Sequence, residues 1–161
     1  MIFTTGGTFD KIYFDAASAF HIGEPMAGAL LDEANVSFDY KVVSLLKKDS
    51  LDMDDADRAL IRDAIANAPG EWILLTHGTD SMVATAKALL DITGKTIVIF
   101  GSMQPARMRC SDAMYNLGFA SAAVQLLPNG VHLAMNGQVF DPRKVSKNRA
   151  QHRFEALGPT A

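Results

Sequence analysis

Two runs, Trp72-Ile73-Leu74-Leu75 and Ile97-Val98-Ile99-Phe100, are apolar at every position. A strand with one wet face alternates apolar and polar residues, whereas a strand covered on both faces does not. These runs therefore predict two strands, Trp72–Thr76 and Thr96–Phe100, buried between layers of helix. A sheet covered in that way is usually parallel and is built from strand-helix-strand units.

The rest of the chain fits this frame. Further strands are predicted at Met1–Thr5, Tyr40–Leu46 and Val131–Met135. Asn136-Gly137 is a tight-turn signal that would join the last of these to Gln138-Val139-Phe140 as a hairpin. Helical patterns fill the gaps. Asp52 can cap a helix with Ala56, Leu60, Ile61, Ala64 and Ile65 on one stripe, stopped by Pro69-Gly70. A second helix follows Asp80, with Val83, Ala86, Leu89 and Leu90 inward and Gly94 as its C-terminal cap. A third starts near Ser111-Asp112 and ends at Pro128, and a shorter one covers Pro25–Asn35. Phe9–Glu24 has no clear period, which is the pattern of a binding loop or lid. The expected fold is a three-layer α/β domain with a mainly parallel, Rossmann-like or flavodoxin-like sheet.

The chain has 161 residues, enough for one domain with a core. Its net charge of −3 gives no electrostatic reason to bind nucleic acid or an anionic membrane. No apolar run approaches the length needed to span a membrane. One cysteine, Cys110, cannot form an internal disulfide and suits a reducing compartment. The first residues, Met1-Ile2-Phe3-Thr4, show no basic stretch followed by an apolar one, so a cytoplasmic location is expected. The four histidines and single cysteine lack metal-ligand spacing, and no dinucleotide or phosphate-loop motif is present; no metal or cofactor is expected.

In an open parallel sheet, ligands bind outside the carboxyl ends of the strands. Thr4-Thr5-Gly6-Gly7-Thr8 follows the first strand, and Thr76-His77-Gly78-Thr79-Asp80-Ser81 follows the third. Each presents a threonine beside glycine, which lets the backbone approach a small ligand closely. Ser50 follows the second strand, and Lys147 follows the hairpin. Together they suggest acyl transfer: a threonine nucleophile, Lys147 as base, Asp80 orienting it, and the N–H groups near Gly78 and Thr79 at a helix start as an oxyanion site. Taken singly, each has a plainer reading. Gly6-Gly7 is a turn, Ser50, Asp80 and Ser81 are caps, and Arg143–Arg149 is a solvated charge run. Tyr13 is a packed aromatic and His77 a structural residue.

The two glycine motifs together resemble the bacterial-type L-asparaginases. Gly101-Ser102-Met103-Gln104-Pro105, Ser111-Asp112-Ala113 with Asn116-Leu117, and Phe140–Lys147 extend the resemblance in the family's order along nearly the whole chain. It implies a cytoplasmic amidohydrolase that converts L-asparagine and water to L-aspartate and ammonia without a cofactor. Thr8 would match the nucleophile and Tyr13 the loop tyrosine that polarises it. Thr79, Lys147 and Asp80 would match a second triad. Gly7, Ser50, Leu51, Gly78, Thr79 and Asp80 would line the substrate site, with Ser50 on the α-carboxylate and Asp80 on the α-amino group. Leu51 stands where typical members carry glutamine. The chain stops near where a second domain would begin, so it is expected to be a single domain, 1–161, equivalent to the family's N-terminal domain. Its expected assembly is a homodimer or homotetramer. The alternatives are a module that binds Asn or Asp without turnover, and a hydrolase of a related amide such as glutamine.

Overall fold

A computed structural model describes residues 1–14 and 18–158. Residues 15–17, within the stretch expected to be a loop, lie outside the described residues. Six strands form the main sheet: β1 (Ile2–Gly6), β4 (Val42–Lys48), β5 (Trp72–Thr76), β6 (Thr96–Phe100), β7 (Gly130–Met135) and β8 (Gln138–Phe140). Their order is β4-β1-β5-β6-β7-β8; the first five run parallel, and β8 pairs antiparallel to β7 through the Asn136-Gly137 turn. Both turn residues have positive φ, which explains the Asn-Gly pair there.

The helices are α1 (Ala27–Glu33), α2 (Asp55–Ala66), α3 (Met82–Ala88) and α4 (Ala113–Leu126). Alternate strand residues serve two cores. Ile73, Leu75, Ile97 and Ile99 face α2 and α3, where Ile61, Ile65, Met82 and Leu89 meet them. Leu74, Val98 and Phe100 face α1 and α4, meeting Leu30, Leu31, Leu117 and Val124. Each all-apolar strand is thus buried from both sides, and the fold is the expected three-layer α/β arrangement.

Several local expectations change. The cap of α2 is Asp54, not Asp52: Asp54 accepts from Asp57 N at 2.9 Å, and Asp57 accepts from Asp54 N at 3.1 Å. The buried stripe of α2 is Asp57, Ile61 and Ile65, while Ala56 and Leu60 are exposed. Asp57 takes the place of an apolar residue because Lys48 Nζ reaches both its oxygens, at 2.8 and 2.7 Å. Helix α3 ends at Ala88, so Gly94 is a loop glycine and not its cap. Phe9–Glu24 carries structure. A 3-10 turn (Thr8–Asp10) leads into β2 (Lys11–Phe14), which pairs antiparallel with β3 (Ala19–Ile22). A second hairpin, β9 (Val145–Asn148) and β10 (Arg153–Ala156), follows β8.

Candidate active site

The sheet reverses its order of growth at β1. From β1 the chain goes outward to β4, then returns across it to β5 on the other side. Such a switch point opens a crevice beyond the carboxyl ends of the two central strands. Here those strands are β1 and β5. Thr5 Oγ1 donates to Thr76 O at 2.9 Å and stitches them together at the floor of the crevice.

Glycine allows three turns to meet there. Gly7 has φ 69° and ψ −169°, a conformation nearly confined to glycine. A Cβ on Gly7 would lie 2.6 Å from Gly78 Cα, and a Cβ on Gly78 would lie 2.5 Å from Ser50 Oγ. The turns after β1, β5 and β4 therefore touch through Gly7, Gly78 and Ser50. Thr8, half-buried, opens the 3-10 turn above Gly7. Ser50, buried, opens a second such turn, and Ser81 Oγ donates to its carbonyl at 2.5 Å.

Lys147 enters from the far end of the chain. It follows Val145 by two residues, so the two share a face of β9. Its register partner on β10 is Phe154, and both Val145 and Phe154 are core residues. That inward face carries the Lys147 side chain, only 15% exposed, back to the crevice. Its Nζ donates to Thr79 Oγ1 at 2.7 Å and to Asp80 Oδ1 at 3.0 Å. The charge run thus contains one enclosed lysine. Arg149 is exposed, as expected of the charge run, and places Nε 3.3 Å from the same Asp80 oxygen. These residues line a cavity of about 420 Å³ with Val83, Val145 and Ser146. The signal for Lys147 is its spacing of two from Val145, which puts both on one face of β9; Arg149 lies in the turn beyond that strand.

Beneath the crevice, His77 is fully buried. Its Nδ1–H donates to Gly78 O and its Nε2 accepts from Thr85 Oγ1, each at 2.8 Å. Burial pushes its pKa down to about 4, so the ring is neutral at pH 7 and supports the Gly78 turn. The loop after β6 is tied down in the same way. Asp112 is not a side-chain cap of α4: its carboxylate accepts from Met103 N and Gln104 N, each at 3.0 Å. Ala106 N then donates to Phe9 O at 3.0 Å, joining that loop to the Thr8 turn.

The other expected residues are placed less centrally. Tyr13 lies on β2, is 55% exposed, and sets its ring edge-on to Phe20 at 5.5 Å. Among the described residues, no hydrogen bond links it to Thr8. Leu51 is 68% exposed beside Ser50. Helix α3 starts at Met82, so Gly78 and Thr79 precede it instead of forming its first turn. Their N–H groups donate to no other backbone group among the described residues. Among those residues no group of three or more His, Cys, Asp and Glu could hold a metal ion, and no helix is long and apolar enough to cross a membrane.

The fold and site define an α/β protein with a hydroxyl-lined crevice at its switch point. Residues 1–158 match the family model described as "Asparaginase, N-terminal", and the chain belongs to the asparaginase family. It is 31% identical over 159 residues to a "Probable L-asparaginase periplasmic" of Haemophilus influenzae, covering 91% of this chain and 45% of that protein. It is 38% identical over 82 residues to a "Glutaminase-asparaginase" of Pseudomonas aeruginosa, covering 48% of this chain and 23% of that protein. Among solved structures, L-asparaginase I from Vibrio cholerae superposes with a TM-score of 0.82 at 26% identity, over 99% of this chain and 54% of that one. The chain thus spans less than half the length of these two curated relatives.

Proposed function

We propose that this chain is an amidohydrolase that converts L-asparagine and water to L-aspartate and ammonia. The observation that carries the reading is the Lys147 ammonium held between Thr79 and Asp80, beside the Gly7–Gly78–Ser50 contact that carries Thr8. In the proposed reaction, the Thr8 hydroxyl adds to the side-chain amide carbon. The hydroxyl proton passes to the leaving nitrogen, ammonia departs, and an ester on Thr8 remains. Water then adds to the ester carbon, aspartate is released, and Thr8 regains its proton. Thr79, Lys147 and Asp80 form the proton-transfer group, with Tyr13 on the hairpin beside Thr8. Ser50 takes the α-carboxylate, Asp80 the α-amino group, and the Gly78 and Thr79 N–H groups the developing oxyanion.

The test is ammonia release by the purified chain across a range of asparagine concentrations, with aspartate formed in equal amount. Binding of asparagine without ammonia would leave a binding module and overturn the reading. Glutamine belongs in the same assay, because the Pseudomonas relative is called a glutaminase-asparaginase. The ratio of kcat/KM values decides between the two amides.

A further inference from the structure

Asp10 is two residues beyond Thr8, in the same 3-10 turn, and is 1% exposed. It is the point where four segments are tied. Its own N–H donates to Gly7 O at 3.3 Å, closing the turn on the glycine that presents Thr8. Its carbonyl accepts from Gly23 N at 2.8 Å, at the end of β3. Its Oδ1 accepts from Met26 N at 2.9 Å, at the start of α1. Next to it, Phe9 O is held by Ala106. The Asp10 side chain thus joins the start of α1 to the turn that aims Thr8, while its backbone holds the base of the β2–β3 hairpin.

An amide or hydroxyl would accept the Met26 N–H without bringing a charge indoors. A buried carboxylate is costly. Burial is the main cause of its raised pKa, which lies near 6. The charges that face it are Arg107 from the loop before α4, Glu24 from the turn after β3 and Lys47 from β4. Lys47 is already paired with Glu24 at 2.5 Å, so it does not neutralise Asp10 directly. A charge kept at a cost in stability, next to a reacting group, is a signature of function more than of packing.

We propose that Asp10 is a positioning residue: its buried carboxylate clamps the start of α1 onto the turn that carries Thr8, and protonation slackens the clamp and lowers turnover. A hydrogen bond to an ionised acceptor is about twice as strong as one to a neutral acceptor. The acid form therefore holds Met26 less firmly, and Thr8 loses its fixed aim. The proposal rests on the reading of Thr8 as nucleophile.

Asp10→Asn keeps the size and the acceptor but removes the charge. It should melt at a higher temperature than the wild type at neutral pH. Its kcat should nevertheless fall about tenfold, at the low end for a supporting residue, with KM within about twofold. The wild type should lose kcat below pH about 6, and Asp10→Asn should lack that limb. A variant with wild-type kcat and an intact acid limb overturns the proposal. So does one that loses stability and activity together, which is what a purely structural residue would do. A second measurement needs no turnover. In the wild type, the Met26 and Thr8 amide resonances should shift together with a midpoint near 6; flat profiles overturn the clamp. A wild-type chain that releases no ammonia defeats the asparaginase reading alone, and the amide titration then still decides the role of Asp10.

Discussion

Lys147 lies in a stretch, Arg143–Arg149, where six of seven residues are basic or polar, yet its side chain is enclosed and bonded to Thr79 and Asp80. Its neighbours Val145 and Phe154 explain the difference, because they bury the face it shares. Removing the amine should therefore act on chemistry more than on packing. Lys147→Met is expected to lower kcat with a smaller change in KM; wild-type kinetics would return Lys147 to the surface reading. Thr8→Ala should leave a folded protein, since Thr8 is only half-buried, and should cost at least ~10³-fold in kcat/KM. Near-normal turnover in that variant would remove Thr8 from the mechanism.

Two buried titratable groups, His77 and Asp10, act on stability in opposite directions. The folded pKa of His77 is lowered to about 4, so the unfolded chain takes its proton first. Stability is lost as pH falls from about 6.5 to about 4, by about 3 kcal/mol at most. The folded pKa of Asp10 is raised to about 6, so the folded chain takes its proton first, and stability is gained over much the same interval. In the wild type these contributions offset each other. Asp10→Asn should expose the His77 loss as a steep drop in melting temperature below pH about 6. An equally flat profile in the variant would show that His77 does not titrate as described.

At the scale of elements, the site depends on turns packed too tightly for a side chain. Gly7→Ala should cost about 1–3 kcal/mol from its backbone conformation alone. The clash with Gly78 adds to that, so thermal unfolding should shift well below the wild type. Gly78→Ala meets Ser50 first through its side chain, with Oγ at 2.5 Å and Cβ at 2.6 Å. It should therefore raise KM more than it lowers the melting temperature, and an unchanged KM would separate Ser50 from substrate binding. The β2–β3 hairpin, which follows the Thr8–Asp10 turn, carries exposed Tyr13, Phe14 and Phe20. Its aromatic pairs, Tyr13 on Phe20 and Phe14 on His21, lie on opposite faces.

At the scale of the whole molecule, sheet order decides where the chemistry sits. With β1 and β5 central and their connections leaving in opposite directions, no other pair of strands opens a comparable crevice among the parallel strands. Tyr13, Phe14 and Phe20 of the β2–β3 hairpin are exposed. We propose that a second copy of the chain covers them, in a homodimer or a dimer of dimers. Light scattering coupled to size exclusion should give a mass above 17.4 kDa. Activity should fall on dilution, and a monomer fully active at nanomolar concentration would refute the proposal.

The sequence alone determined the layers and which segments form the parallel strands of the main sheet. Trp72–Thr76 and Thr96–Phe100 have the expected limits, because an all-apolar run bounded by polar residues has few other stable arrangements. It also pointed to the two glycine motifs, since a strand that ends in glycine beside threonine signals a close backbone approach. Tertiary structure decided the rest, because long-range partners override local pattern. Asp57 looks like a surface acid until Lys48 arrives from β4. Asp112 looks like a helix cap until the loop after β6 uses it. Phe9–Glu24 has no period because its short strands answer to each other and to Asp10, not to one buried face. Asp10 itself carried no signal in the sequence: its meaning comes from burial, which no local pattern around it announces.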